Sequence, residues 1–355
     1  MANTKISALP AVTSLAAADT FPVVQSGTTK KAAVSDISNL MLTTAPQTSF
    51  RNMFINGNFI VNQRNSSGYT VVAGAALQYT VDRWYSYCTG ANTTIDNSLY
   101  IGAKRRFQIT GATGVTSFGF GQRVEASTTR NSSNFTLSVT LQSSTLTSVT
   151  WTAYTANSID SFGTLASPTR TQVATGTFVV SSGGTRSSAT FAASGSNGIE
   201  IVFSGGALIA SQSLLVFDAQ LESGSVATVF ENRPMALEHS MCLRYYEKNY
   251  LYGVPAGFTT TSGIHEFYGC SNASNLIGGY IKFATPKRST MYTATFYTPG
   301  GTAGSWTYAR SGVGATSVAV NAATGEYGLS FGSGSIGAAW VTATIAGFWV
   351  ADNEL

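Results

Sequence analysis

The sequence predicts an all-β protein of antiparallel sandwiches, and three observations predict it. First, the chain carries little charge: its 20 basic and 16 acidic residues make up 10% of 355 positions, against about 25% in an average globular chain. Ser, Thr, Asn and 36 glycines take their place, a mixture that suits strands joined by tight turns. Second, apolar residues alternate with polar ones. "FTLSVTL" (135–141) puts Phe135, Leu137, Val139 and Leu141 on one face, and "IEIVFSG" (199–205) repeats this with Ile199, Ile201 and Phe203. Third, turn clusters such as "SSGGT" (181–185) and "SGSNG" (194–198) separate the runs. With 43% apolar and 12% aromatic residues the chain has material for real cores, so it does not read as disordered. Its length allows two to three domains.

Residues 1–50 stand apart. "FPVVQSGTTKKAAV" (21–34) offers two short arms around Ser26-Gly27, a hairpin, and "SDISNLM" (35–41) reads as a capped helical turn. The segment has too few large apolar residues for its own core, so a partner or other copies of the chain should order it. Residues 51–233 read as one long β domain. Near its end, "LLVFDAQLE" (214–222) places Leu215, Phe217, Ala219 and Leu221 on one face and Val216, Asp218, Gln220 and Glu222 on the other.

A helix follows at 234–250. Pro234 suits its first position, where the missing N–H costs nothing. Leu237, Met241 and Tyr245 make a stripe at spacings of four, and Asn249 and Gly253 offer stops. This linker helix should cap the sandwich and redirect the chain into a second β domain over 251–355. There "TMYTATFYTPGG" (290–301) and "SWTYARSGVG" (305–314) read as strands, and "AAWVTATIAGFWVA" (338–351) as a terminal strand pair bent at Gly347.

Charge and motifs exclude several functions. The net charge of +4 divides into +1 over 1–50, +3 over 51–235 and 0 over 236–355, without the basic field a nucleic-acid binder needs. Lys104-Arg105-Arg106 reads as a solvated strand end. Three cysteines, Cys88, Cys242 and Cys270, have no CxxC spacing, which argues against a disulfide framework or a zinc site and for synthesis in a reducing compartment. No apolar stretch is long enough for membrane insertion, and Pro10, Thr13 and Ser14 break up the N-terminal apolar run, which argues against a signal peptide. "GSGSIG" (332–337) matches GxGxxG, but the strand-like "AAWVTATI" follows it, so it reads as a glycine turn. His239 and His265 fall in no catalytic motif. Asp218, Glu222 and Glu231 are the closest acidic grouping, and polar residues on an outer strand face are their simplest reading. No cofactor is implied.

The aromatics are more informative. Trp84, Tyr85 and Tyr87 cluster in "DRWYSYC", and Trp306 and Tyr308 share a strand face with Arg310 in phase. Flat aromatics stack on sugar rings, and an arginine can hydrogen-bond hydroxyls or acidic sugars. Trp306, Tyr308, Arg310, Trp84 and Tyr85 are therefore the candidate ligand-binding residues. The competing reading puts these rings in cores or subunit contacts, and burial is the commoner state of any one tryptophan.

Three stretches resemble the tail-fibre and tail-appendage proteins of bacteriophages. "ISALPAVTSLAAADTFPVVQSGTTKKAAVSDI" (6–37) is similar to their N-terminal virion-attachment segment. "NMFINGNFIVNQR…YTVDRWY" (52–85) resembles the opening of their jelly-roll module, itself related to carbohydrate-binding modules, through Asn56-Gly57, Phe59, Gln63-Arg64 and Asp82-Arg83-Trp84. "FDAQLESGSVATVFENRP…CLRYYEK" (217–248) resembles the end of that module and the helix after it, through Gln220-Leu221-Glu222, Gly224, Ala227-Thr228, Phe230, Arg233-Pro234 and Arg244-Tyr245-Tyr246. "FATPKRSTMYT" (283–293) more loosely resembles the start of the C-terminal β domain. The resemblance implies a jelly roll over 51–233, a homotrimer, attachment of residues 1–50 to another tail or neck protein of the virion, and a distal domain over 251–355 that meets the host. It implies a virion protein made in the host cytoplasm, with adhesion to a host cell-surface saccharide and no catalysis as its function. It also suggests a structural calcium near the last jelly-roll strand, with Asp218 as a ligand. Two alternatives stand beside this: a purely structural virion component such as a neck or decoration fibre, and a glycan-degrading tailspike, for which the β-helix repeat of enzymatic tailspikes is lacking.

Overall fold

A computed structural model describes residues 14–16, 18–36, 50–64, 68–74, 76–98, 104–271, 278–310, 313–333 and 341–355. Most of the turn expected at 35–41 and of "GSGSIG" lies outside them. The N-terminal hairpin pairs β1 (Thr20–Gln25) with β2 (Thr28–Ala33). Ser26 and Gly27 connect them with φ of 53° and 75°, a two-residue turn with positive φ at both positions whose twist matches that of the strands.

The first globular unit is a sandwich of two six-stranded antiparallel sheets. In chain order its elements are β3 (Tyr69–Val71), β4 (Gln78–Val81), β5 (Trp84–Thr89), β6 (Thr93–Asp96), β7 (Phe107–Thr110), β8 (Ser117–Val124), a single helical turn α1 (Ala126–Thr129), β9 (Asn134–Gln142), β10 (Ser148–Ala156), β11 (Arg170–Val179), β12 (Thr185–Ala192), β13 (Ile199–Gly205) and β14 (Ser213–Ser223). The sheets run β11-β10-β13-β8-β5-β4 and β12-β9-β14-β7-β6-β3, a jelly-roll arrangement. Phe135, Leu137, Val139, Leu141, Ile199, Ile201 and Phe203 are fully buried between them, as their period-two spacing requires.

β14 departs from its expected phase. Leu214 and Val216 enter the core, and so do Ala219 and Leu221, while Leu215 is only half-buried. The register shifts between Phe217 and Gln220, with Asp218 at φ 49°. One extra residue in a strand flips every later side chain to the other face. The bulge lets residues 52–57 run along β14. Met53 N donates to Leu221 O (2.7 Å), Ala219 N donates to Gly57 O (2.9 Å), and Asn52 Nδ2 donates to Ala219 O (3.0 Å). A Cβ on Gly57 would sit 2.2 Å from Ala219 O, so only glycine fits there.

The linker helix α2 covers Met235–Leu243 and is shorter than the expected 234–250. Pro234 is its N-cap, one residue before the expected place; its ψ of 142° is extended, and its carbonyl accepts from Glu238 N (3.1 Å). The buried stripe is Glu238, Cys242 and Tyr245, with Leu237 and Met241 half-buried. A carboxylate can face inward because Glu238 Oε2 accepts from Asn56 N at 2.7 Å and Arg233 Nε lies 3.5 Å from its other oxygen. The helix ends because residues 246–248 are needed as a strand.

That strand is β15 (Tyr246–Lys248). It opens an eight-stranded unit with β16 (His265–Ser271), β17 (Gly278–Lys282), β18 (Thr293–Tyr297), β19 (Ser305–Arg310), β20 (Val313–Gly325), β21 (Gly328–Ser333) and β22 (Val341–Asp352). The terminal run is one strand and not a pair. β22 pairs with β16 and β19 up to Gly347 and with β15 and β18 beyond it. β20 likewise changes from β19 to β21. Strands that switch partners turn a sheet through a corner, and here the sheet closes over a second core of Trp306, Leu329, Phe331 and Ile345.

A buried polar joint fastens the two units. Gln63 donates through Nε2 to Asp82 Oδ1 (2.7 Å) and to Tyr246 O (3.2 Å). Arg64 holds Asp352 (2.8 Å) and Glu354 (3.0 Å), and Arg83, stacked 3.4 Å from the Tyr245 ring, also reaches Glu354. Of the residues that carry the motif resemblance, Gln63, Arg64, Asp82, Arg83, Tyr245 and Tyr246 take part in this joint.

Candidate functional site

Alternation along β5 sends Trp84 and Tyr85 to opposite faces of their sheet. Trp84 enters the core against Phe54 and Phe59, with ring centroids 5.2 and 5.1 Å away, and donates Nε1–H to Asn56 O at 3.0 Å. Tyr85 and Tyr87 lie on the outer face, across the neighbouring strand β8. A Cβ on Gly121 would meet the Tyr85 hydroxyl at 2.4 Å, and one on Gly119 would meet Tyr87 Cζ at 2.2 Å. The "GFG" of β8 is thus a floor on which two tyrosine rings lie flat, the arrangement that rescues glycine in a strand.

Next along the sheet, β13 supplies Glu200, fully buried and held by three donors. Tyr85 Oη donates at 2.7 Å, Arg123 Nε at 2.9 Å, and Arg170 Nη1 completes the set. On β10, opposite Glu200, Tyr154 stacks under the Arg170 guanidinium at 4.1 Å. Thr152 and Thr175 hydroxyls face each other at 3.2 Å farther along the same strands. Tyr85, closed off by its neighbours, is the support, while Tyr87 and Tyr154 are half-buried and keep part of each ring open. Burial pushes the hydroxyls of Tyr85 and Tyr87 above the ordinary phenol range, so both stay protonated donors.

This face offers two partly open rings, a charged donor with a fixed plane and a row of hydroxyls. Its carboxylate, Glu200, is engaged by all three donors. Its chemistry is that of stacking and hydrogen bonding.

The other expected residues fall elsewhere. Trp306 is fully buried and Tyr308 4% exposed, both in the second core. Trp306 packs against Phe267, Phe296 and Phe331 with centroids 5.7, 5.5 and 4.9 Å away, leaving no ring face for a ligand. Arg310 closes β19, and its side chain lies outside the described residues. Trp84 and Tyr85, each 0% exposed, cannot touch a ligand. Asp218 is set among cations: Lys104 Nζ binds its carboxylate at 3.0 Å and Arg186 Nη1 its carbonyl at 3.0 Å. Those two charges would repel calcium, so Asp218 is an ion-pair partner. Among the described residues no group of three or more His, Cys, Asp or Glu could hold a metal ion. Sequence reasoning missed Tyr154, Arg170 and Glu200. The one signal for the site was Tyr-x-Tyr in β5 beside Gly-x-Gly in β8.

No family model matches the chain, and no curated protein does either. Among solved structures it is similar to the enzymatically active domain of tailspike protein 4 from bacteriophage CBA120, at 14% identity and TM-score 0.31, over 49% of this chain and 21% of that one. It is also similar to the carbohydrate-binding module TmCBM61 in complex with β-1,4-galactotriose, at 11% identity and TM-score 0.28, over 49% of this chain and 100% of that one. A family 11 carbohydrate-binding module from Clostridium thermocellum, in complex with a mixed-linked tetrasaccharide, matches at 12% identity and TM-score 0.30, over 46% of this chain and 100% of that one.

Proposed function

We propose that the chain is a non-catalytic subunit of a phage tail appendage and that it binds a host cell-surface saccharide on the outer face of its first sandwich. The observation that carries the binding is Tyr87 laid over Gly119, with Tyr154 under Arg170 on the same sheet. Rings held flat and partly open lose little freedom when a sugar stacks on them. The assignment to a virion, with residues 1–50 as attachment segment and a homotrimer as the assembled state, rests on the motif resemblance. Adhesion without cleavage agrees with the engaged carboxylate of Glu200. Affinity at one site should be weak, and three copies should supply avidity.

The test is adsorption to host cells and binding to a glycan array by Tyr87→Ala and Tyr154→Ala, each with an unchanged melting curve. Binding should fall about tenfold or more, which corresponds to about 1.4 kcal/mol. Normal adsorption by both folded variants would favour a purely structural fibre. Release of reducing ends from a bound glycan would favour a tailspike.

A further inference from the structure

A cavity of ≈ 560 Å³ lies where the two globular units meet. Its size falls within the range of small-molecule sites, about 300–1,000 Å³. The first unit supplies Arg64, Tyr69 and Tyr79, and the second supplies Tyr246, Tyr297 and Asp352. Three features of these walls point to one ligand chemistry. The first is aromatic surface from both units: Tyr69, Tyr79 and Tyr297 are half-buried, so part of each ring is open. The second is Arg64. Its guanidinium sits 4.0 Å over the Tyr246 ring and binds Asp352 and Glu354, which fixes the Asp352 carboxylate on the wall. The third is Asp352, whose side chain is 35% exposed and open to a hydroxyl donor.

The charges select among ligands. Arg64 is matched by two carboxylates, Asp352 and Glu354, and Glu354 is also held by Arg83. An anionic ligand would find no unpaired cation here and would face an exposed carboxylate. An uncharged polyol suits what the walls offer: a ring face for the tyrosines and hydroxyls for Asp352.

We propose that this interdomain cleft binds one uncharged saccharide unit, held by both globular units at once, as a site separate from the Tyr87 face. It extends the adhesion reading but does not need the Tyr87 face to bind anything.

Saturation-transfer difference NMR on the full chain tests this, with glucose, galactose and N-acetylglucosamine as neutral probes and glucuronic acid as the charged one. Thr293→Trp fills the cleft from an exposed position. At least one neutral sugar should give transfer in the wild type and in Tyr87→Ala, and at least a fivefold weaker signal in Thr293→Trp. Should Thr293→Trp melt early, Tyr297→Ala replaces it with the same expected loss. A signal lost in Tyr87→Ala and kept in the cleft variant would overturn the cleft proposal and leave the Tyr87 reading standing. Transfer from glucuronic acid alone, or from none of the four, would overturn it too.

Discussion

Strands β5 and β19 carry the same pattern, an aromatic at every second position, and each lays a ring over a glycine of the neighbouring strand. Tyr87 lies over Gly119, and Trp306 lies over Gly347 with its Cδ1 2.2 Å from where a Cβ would be. The other side of each ring decides its role. Trp306 is covered by Phe267, Phe296 and Phe331 and is fully buried. Tyr87 has Arg170, Tyr154 and Glu200 as its electrostatic neighbours and stays partly open. A glycine opposite an aromatic therefore marks a ring held flat. Whether that ring serves a core or a ligand depends on the next layer, which the local sequence does not contain.

The sharpest way to break this comparison is truncation at both sites. Trp306→Ala should cost about 3–5 kcal/mol, as expected for an aromatic removed from a closed core. Tyr87→Ala should stay within about 1 kcal/mol, because its ring already meets solvent. Urea denaturation of both variants measures the difference. Equal losses would show that the two rings do the same job.

A second test moves the glycines. Gly347→Ala drives a Cβ into Trp306, which has nowhere to go, and should cost about 1–3 kcal/mol. At Gly119 the nearest atoms all belong to Tyr87. Gly119→Ala should swing that ring outward, with a smaller loss of stability and a loss of glycan binding comparable to that of Tyr87→Ala. Retained binding in Gly119→Ala would mean that the flat pose of Tyr87 is irrelevant to the ligand.

The same contrast separates what was legible in the sequence from what was not. Period-two runs at 135–141 and 199–203 could be read directly, as could the hairpin at Ser26-Gly27, because each depends on a few adjacent residues. The phase of β14 could not, because the bulge at Asp218 answers to Gly57, far away in the chain. The inward carboxylate of α2 was equally hidden: Glu238 bonds the backbone of Asn56, 182 residues earlier. The candidate site divides in the same way. Tyr87 stood out in an aromatic cluster, but Tyr154, Arg170 and Glu200 meet it only through the sheet order β11-β10-β13-β8-β5. Tryptophan's size drew attention to Trp306, and that size is what makes it a good core residue.

The smallest expected effect lies at the joint between the two regions and appears as a pH dependence. Lys248 is buried there and donates to the carbonyls of Gln63 and Val254. Burial lowers its ammonium to about 8, against about 10.4 in an unfolded chain. Between those values the unfolded chain holds a proton that the folded chain has released, so stability from this group rises with pH. Burial shifts Tyr79, Tyr245 and Tyr246 the other way, well above the ordinary phenol range. Above pH about 10 the unfolded chain loses those protons first, and stability falls. The urea midpoint should therefore climb from pH 8 toward a maximum near pH 10 and drop beyond it. Lys248→Met should flatten the climb and leave the drop unchanged. It should not abolish the climb, because burial also lowers Lys287, which is paired with Glu247. A wild-type midpoint that declines steadily from pH 8 would mean that the joint admits enough water to keep the Lys248 ammonium charged.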